Sequence, residues 1–148
     1  MAAGHIDAVT AKLKPVSKKP VAAGYIQLGV APYAGGLNST WWDRDLGVGG
    51  RVIVQKRDGA VESRLVKLDW PIARISTLAP HFGAAAQGPF NTETQMTPVI
   101  GLEGSEDDQK SMPEGSFAAK QPARLVKAIA GELGSTDCTC NASGVGLG

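Results

Sequence analysis

The sequence predicts an α+β fold that is mostly antiparallel β-sheet, with short helices and one further helix near the C-terminus. Two β-rich runs flank Asp58-Gly59, a pair of residues that favours a tight hairpin turn. The first third of the chain also predicts short strands separated by prolines and glycines. After Pro122, apolar residues follow helical spacing at Leu125, Val126, Ile129 and Leu133.

Two strands are predicted before the hairpin. Residues 6–13 are apolar with threonine and lysine interspersed, and Pro15 is expected to end this run. Residues 25–30 form a second short run that stops before Pro32.

The hairpin strands are residues 51–56 and 61–68, and Pro71 closes the second of them. Residues 72–82 then mix apolar and polar positions in a way that predicts a short helix, which would end at Gly83.

The last third of the chain divides by composition. A short apolar run at residues 98–102 precedes residues 103–117, which are acidic, contain glycine and hold few core residues, as in a flexible loop. Residues 118–134 are assigned to the C-terminal helix, with Gly134 in the stop position. Residues 135–148 are predicted to be a disordered tail, because glycine alternates there with small apolar residues that bury too little surface.

Composition limits the classes of function. The chain has 148 residues, of which 43% are apolar and 20% charged, as in an ordinary globular domain with a modest core. Its net charge of +1 argues against a nucleic-acid binder. No apolar run approaches the roughly 20 residues that cross a bilayer. The N-terminus lacks a basic-then-apolar leader, so we expect a soluble, unprocessed chain with no membrane contact.

One histidine and one carboxylate lie two residues apart in Gly4-His5-Ile6-Asp7. In an extended strand, residues i and i+2 point to the same face, so the side chains of His5 and Asp7 would enter one space. Such a pair binds a metal or simply hydrogen-bonds, and a satisfied structural histidine is the commoner case. The remaining sequence holds few residues that could complete a metal site, so the pair alone leaves both interpretations open.

A set of short motifs follows in order between about residue 4 and residue 102. These stretches are Gly4-His5-Ile6-Asp7, Leu28-Gly29-Val30-Ala31-Pro32-Tyr33, Trp42-Asp43-Arg44-Asp45-Leu46, Gly50-Arg51-Val52-Ile53-Val54, Leu78-Ala79-Pro80-His81-Phe82-Gly83 and Gly88-Pro89-Phe90-Asn91. In this order and spacing they resemble the aspartyl aminopeptidase family of zinc metallopeptidases, and most closely its fungal vacuolar aminopeptidase I type.

The resemblance implies a role for three residues. His5 would be a zinc ligand, and Asp7 would be a catalytic-site residue that orients it. His81, in its Leu-Ala-x-His context, would enter the active site of a neighbouring subunit and donate a hydrogen bond to the developing oxyanion. The implied cofactor is zinc, bound as two ions in the family, with one ligand matched in this chain.

The resemblance also implies an activity and partners. Zinc-activated water would hydrolyse peptides after an N-terminal aspartate or glutamate. The expected partners are that peptide substrate and further copies of the chain in a homo-oligomer, with neither nucleic acid nor membrane. The expected location is the cytoplasm or the vacuolar lumen.

By the same resemblance, the chain would be a truncated part of a larger α/β zinc peptidase. Residues 1–20 would be a remnant of a catalytic-domain strand, and residues 21–102 a β-rich dimerisation and lid module. Because the family's other metal ligands lie beyond the matched region, we expect the chain alone to be inactive. A non-catalytic oligomerisation module and the product of a truncated gene model remain as alternatives.

The charged cluster Asp43-Arg44-Asp45 favours a structural role over a catalytic one. On a strand, Asp43 and Asp45 would share one face, and Arg44 on the other could clamp a carboxylate or backbone carbonyls. Trp41 and Trp42 would anchor the core of the module or its subunit contact.

Overall fold

The computed structural model describes residues 1–4, 10–33, 39, 42–56, 58–82, 90–104, 115–134, 139–141 and 145–147. Its regular elements are β1 (Thr10–Lys18), β2 (Tyr25–Tyr33), β3 (Asp45–Leu46), β4 (Val48–Gln55), β5 (Val61–Lys67), β6 (Ala73–Arg74), β7 (Val99–Leu102), α1 (Ala123–Glu132), β8 (Thr139–Asn141) and β9 (Val145–Leu147). Turns of 3₁₀ helix lie at Pro80–Phe82 and Ala118–Lys120. Within the described residues, none of the helices has the length and apolar character needed to span a membrane.

The strands form one sheet of nine strands in the order β3-β6-β7-β2-β1-β9-β4-β5, and β8 also pairs with β4. Every pairing between the described strands is antiparallel. The prediction of an α+β fold that is mostly antiparallel sheet is therefore confirmed.

The predicted hairpin is present as β4 and β5, which pair over seven positions in register. In its turn, the Lys56 N–H donates to the Ala60 carbonyl (2.8 Å) and the Gly59 N–H donates to the Lys56 carbonyl (3.0 Å). Gly59 has a φ of 85°, a conformation that glycine adopts without a Cβ clash. The Asp58 carboxylate accepts the Ala60 N–H at 2.9 Å, which adds a side-chain bond to the same turn.

Both early strands continue through the prolines that were expected to end them, so those two boundaries are wrong. Strand β1 passes Pro15 and reaches Lys18, and its register against β2 shifts between Leu13 and Lys18. Such a bulge accommodates a residue without an N–H. Pro32 pairs with Ala11 of β1 and lies beyond the part of β2 that pairs with β7. Among the described strands, Pro32 therefore has a paired strand on one side only.

A buried polar contact fixes the irregular part of β1. Ser17 is buried and its hydroxyl bonds to the side-chain carbonyl of Gln121, which is itself buried. The Gln121 amide in turn donates to the Pro15 carbonyl at 2.8 Å. These bonds tie the bulge of β1 to the residues just before α1 and satisfy groups that would otherwise be costly to bury.

The predicted C-terminal helix is present, although residues 118–134 divide into a 3₁₀ turn and then α1. Pro122 precedes the first helical residue, and Gly134 has the left-handed φ of 66° that commonly ends helices. The helix buries its apolar positions against the sheet, at Leu125, Val126 and Ile129. Leu125 and Ile129 belong to the core cluster, which also includes Leu28, Val52, Leu68, Ile75 and Met96.

The prediction of a helix over residues 72–82 is wrong for most of that segment. Ala73 and Arg74 form β6, which pairs with both β3 and β7, and only Pro80–Phe82 is helical. Ala73 and Ile75 are buried whereas Arg74 is exposed, an alternation with the period of a strand. This alternation covers only a few residues. The apolar residues spread over 72–82 therefore favoured the prediction of a helix.

The prediction of a disordered tail over residues 135–148 is also wrong for its described part. Strand β9 pairs with both β1 and β4, and β8 pairs with the end of β4. Strands β1 and β4 each present backbone donors and acceptors along one edge, and the tail supplies partners for both. Its composition gave no sign of this, because backbone pairing does not depend on large apolar side chains.

Two further expectations remain predictions. Residues 105–114 of the expected acidic loop lie outside the described residues. The division between a catalytic-domain remnant at 1–20 and a lid module at 21–102 is not marked by a break, because β1 and β2 pair across it.

Candidate functional site

His5 and Asp7 both lie outside the described residues, so the roles assigned to them remain predictions. Within the described residues, no group of three or more histidine, cysteine, aspartate and glutamate side chains is arranged to hold a metal ion. The described part of the chain therefore does not form a complete zinc site by itself.

His81 is the described member of the predicted site. It lies in the 3₁₀ turn Pro80–Phe82, in which the Phe82 N–H donates to the Ala79 carbonyl at 2.9 Å. The rings of His81 and Phe82 contact each other with centroids 4.3 Å apart and planes inclined by 43°. Both side chains are exposed, Phe82 to 72%.

The surroundings of His81 suit a group that acts on another molecule. No described residue hydrogen-bonds to its imidazole, and its ring neighbour Phe82 is also largely outside the core. A neutral imidazole carries one N–H donor and one acceptor nitrogen. The side chain can therefore offer a hydrogen bond to a ligand without breaking one within the described fold.

A turn at Asp43 holds the segment that leads to His81. The Asp43 N–H donates to the Ile75 carbonyl at 2.8 Å, and the Arg74 guanidinium donates to the Asp43 carbonyl. The Asp43 carboxylate accepts the Thr77 N–H at 3.0 Å through Oδ1 and the Thr77 hydroxyl through Oδ2. Residues 74–77 are thus attached to one turn through both backbone and side-chain bonds.

The conformation and charge of Asp43 fit this role. Its φ of 62° is left-handed, a region in which aspartate is one of the few tolerated side chains. The hydrogen bonds from the Thr77 hydroxyl and N–H hold the pKa of Asp43 below its ordinary value, and the charge of Arg74 acts in the same direction. The carboxylate is therefore ionised, which strengthens both bonds that it accepts.

The expectation that Asp43 and Asp45 share one strand face is wrong. Asp43 lies in the turn before β3, whereas Asp45 is the first residue of β3. Asp45 instead lies 3.9 Å from the Arg74 guanidinium, measured from Oδ1 to Nη1. Trp42 is buried in the core as expected, with its ring edge-on to Phe90 at 4.6 Å, whereas Trp41 lies outside the described residues.

A cavity of about 520 Å³ lies beside the turn. Thr77 and Leu78 of the His81 segment line it together with Tyr25, Trp42 and Phe90. No carboxylate, imidazole or ammonium group is among its described lining residues, so it offers apolar surface and neutral hydrogen-bonding groups. The described lining of this cavity can hold part of a ligand in place, and Tyr25 is its one titratable group.

The sequence did not reveal Thr77 as a partner of Asp43. The two residues are 34 positions apart, and a lone threonine in an apolar segment carries no signal of such a contact. The one available signal is the residue type at position 43, since aspartate is favoured where a turn needs a left-handed residue.

Comparisons with known proteins find relatives over nearly the whole chain. The family model described as aminopeptidase I zinc metalloprotease (M18) matches residues 1–142. Vacuolar aminopeptidase 1 of Saccharomyces cerevisiae is 50% identical over 137 residues, which cover 86% of this chain and 27% of that protein. Aspartyl aminopeptidase of Aspergillus oryzae is 46% identical over 106 residues, which cover 72% of this chain and 21% of that protein. The chain thus spans about a quarter of the length of these relatives.

Solved structures share the same fold. The structure of Chaetomium thermophilum mApe1 superposes with a TM-score of 0.83 at 55% identity, over 97% of this chain and 32% of that one. The Saccharomyces cerevisiae mApe1 dodecamer gives a TM-score of 0.68 at 33% identity, over 97% of this chain and 29% of that one. The sheet and the turn that carries His81 therefore belong to a portion of a larger known architecture.

Proposed function

Because the chain belongs to the aminopeptidase I zinc metalloprotease family (M18), we propose that it forms part of an enzyme that removes N-terminal aspartate or glutamate from peptides. The relative from Aspergillus oryzae, named an aspartyl aminopeptidase, supports the acidic specificity. The observation that carries the proposal is the exposed His81, which lies in a family motif shortly after Thr77, a residue bonded to Asp43. The short coverage of the relatives supports a chain that works with further catalytic sequence and is inactive without it.

His5 and Asp7 take the metal-binding roles in this proposal. His5 is a zinc ligand, and Asp7 orients its ring by accepting the hydrogen bond of the second ring nitrogen. Since the described residues hold no cluster of three or more metal-binding side chains, the remaining ligands would come from outside them. Bound zinc would supply the Lewis acid that activates the attacking water.

His81 acts on the carbonyl oxygen of the scissile peptide bond. As negative charge develops on that oxygen, the imidazole N–H donates a hydrogen bond to it, an effect that typically contributes about 10²–10³ in kcat. The exposed position of His81 allows it to reach a substrate bound by another subunit. The exposed ring of Phe82 contacts His81 and would help to exclude water once a neighbouring subunit covers both side chains, which would strengthen such a bond.

We also propose how the protein assembles and where it is located. A relative solved as a dodecamer supports homo-oligomerisation of the protein that contains this chain, with residues 21–102 as the dimerisation and lid module. The likeness to a vacuolar aminopeptidase supports the vacuolar lumen, with the cytoplasm as the other location.

The direct test uses the zinc-loaded, full-length protein that contains this chain. We expect hydrolysis of a peptide with N-terminal aspartate to exceed that of the matched leucine peptide. His81→Ala should lower kcat by about 10²–10³ while zinc content stays unchanged. Leu102→Ala, at an exposed position of β7 that no proposed contact uses, is the control and should retain full activity. A His81→Ala enzyme with unchanged kcat, or a preference for the leucine peptide, would contradict the proposal.

A second candidate is a non-catalytic assembly module. Strand β5 ends the described sheet, and its Val61 and Leu65 side chains are 64% and 80% exposed. An edge strand with apolar side chains favours pairing with another copy of the chain. Light scattering of the 148-residue chain tests this: dimers or larger species that Leu65→Lys disperses would support it, and a monomer at high concentration would exclude it.

A further inference from the structure

We propose that Asp43 and Thr77 are positioning residues for His81, acting through the segment between Thr77 and the 3₁₀ turn. The inference rests on the proposed role of His81 in catalysis. Thr77 also lines the neighbouring cavity, but the role proposed for both residues requires no contact with the reacting atoms of the substrate. Their function would be to fix where the chain leaves the core, and hence where the imidazole lies.

Packing alone does not hold this segment. Ser76, Thr77, Leu78, His81 and Phe82 are all exposed, so little apolar burial opposes their movement. The last residue before them with a buried side chain is Ile75, which is 1% exposed. Three residues separate Thr77 from His81, so a rotation of the backbone at Thr77 would be amplified at the imidazole.

Asp43 provides a fixed point at the start of this segment. Its neighbour Trp42 is buried, and its own N–H is bonded to the carbonyl of the buried Ile75. The backbone of Asp43 is therefore attached to the core from two directions. Its side chain extends that attachment outward by accepting both the N–H and the hydroxyl of Thr77.

The chemistry of the contact explains why these residue types are needed. A carboxylate can accept two hydrogen bonds from one threonine, through one oxygen each, and bonds to an ionised acceptor are stronger than neutral ones. Valine has nearly the shape of threonine but lacks the hydroxyl, whereas serine keeps it. Replacing Thr77 by these two residues therefore separates the hydrogen bond from the shape of the side chain.

The expected effect is on the chemical step. A segment that samples several positions places the imidazole correctly for only part of the time, which lowers transition-state stabilisation more than substrate binding. For Thr77→Val in the zinc-loaded, full-length protein, we expect kcat to fall by roughly threefold to tenfold, with KM changed by less than about twofold. Thr77→Ser should restore most of kcat. Asp69→Asn removes an exposed carboxylate that lies beside Lys67 and not beside Arg74 or Thr77, and it should leave kcat unchanged.

A double-mutant cycle distinguishes positioning from a general loss of structure. If Asp43 and Thr77 act through His81, Thr77→Val should cost nothing further in a His81→Ala enzyme. Hydrogen exchange should also quicken across residues 76–82 in Thr77→Val and stay unchanged in the β4–β5 hairpin. An equal loss of kcat in both backgrounds, or unchanged exchange at residues 76–82, would overturn the positioning role while leaving the proposed function intact. A His81→Ala enzyme with full kcat would instead remove the proposed role of His81 and this inference with it.

Discussion

Truncation of Leu125 tests how firmly helix α1 is attached to the sheet. The Leu125 side chain is 1% exposed and belongs to the same core cluster as Leu28 and Ile75, so its removal leaves a cavity that rigid strands cannot close. Alanine and leucine have similar helix propensities, which means that the substitution leaves the intrinsic tendency of α1 almost unchanged. The whole cost should therefore come from lost packing.

For Leu125→Ala we expect the free energy of unfolding to fall by about 3–5 kcal/mol. A domain of this size is typically stable by about 5–15 kcal/mol, so the loss would be a large fraction of the total. Urea unfolding of the 148-residue chain, followed by far-ultraviolet circular dichroism, measures it.

Leu65→Ala provides the matched control, because it makes the same chemical change at a side chain that is 80% exposed on β5. Its effect should stay within about 0.5 kcal/mol. A Leu125→Ala variant as stable as Leu65→Ala would refute the packing of α1 on this sheet.

Four other variants test the fold and the turn. Deletion of the chain after Gly134 removes β8 and β9, so it should lower the midpoint of urea unfolding, and an unchanged midpoint would count against the pairing of β9 with β1 and β4. Gly131→Ala, in α1 with open space around the new methyl group, should stabilise the chain by about 0.5–1 kcal/mol. Gly59→Ala, at a φ of 85°, should destabilise it by about 1 kcal/mol. If the melting temperatures of Gly131→Ala and Gly59→Ala shifted in the same direction, both assignments would be contradicted. The pKa of Asp43 is lowered in the folded chain, so its contribution to stability is complete above the ordinary aspartate pKa and is lost as the pH falls through the lowered value. The difference in melting temperature between the chain and Asp43→Asn should therefore shrink below about pH 4, and a difference that stays constant to pH 2 would exclude the carboxylate bond to Thr77.

The parts of the fold that the sequence predicted are those with local causes. Asp58 and Gly59 specify the β4–β5 turn within four residues, and α1 combines helical spacing with Pro122 before it and Gly134 after it. Each of these signals lies within the element that it specifies. Neither depends on a distant partner.

The parts that were wrong depend on contacts between distant segments. Pro15 is tolerated inside β1 because a bulge removes the need for its N–H and because Gln121, more than a hundred positions away, bonds to its carbonyl. Strand β9 forms because β1 and β4 present backbone edges that it can bridge. No pattern within either segment contains this information.

The candidate site shows the same division. The role expected for His81 came from the resemblance of its motif to the family, and the structure adds that the residue is exposed. Its support by Asp43 and Thr77 could not be predicted, because the contact joins two residues that are 34 positions apart. His5 and Asp7 remain predicted from the motif alone.

We propose that each active site combines His5 of one subunit with His81 of its neighbour. The most direct test of this proposal is to co-express His5→Ala and His81→Ala forms of the zinc-loaded, full-length protein in equal amounts and to measure hydrolysis of a peptide with N-terminal aspartate. With random pairing, half of the dimers are mixed and each mixed dimer keeps one intact site, so activity should recover to about a quarter of the wild-type value. Activity no higher than that of the two single variants would show that His81 does not act on a neighbouring subunit, and would contradict the account.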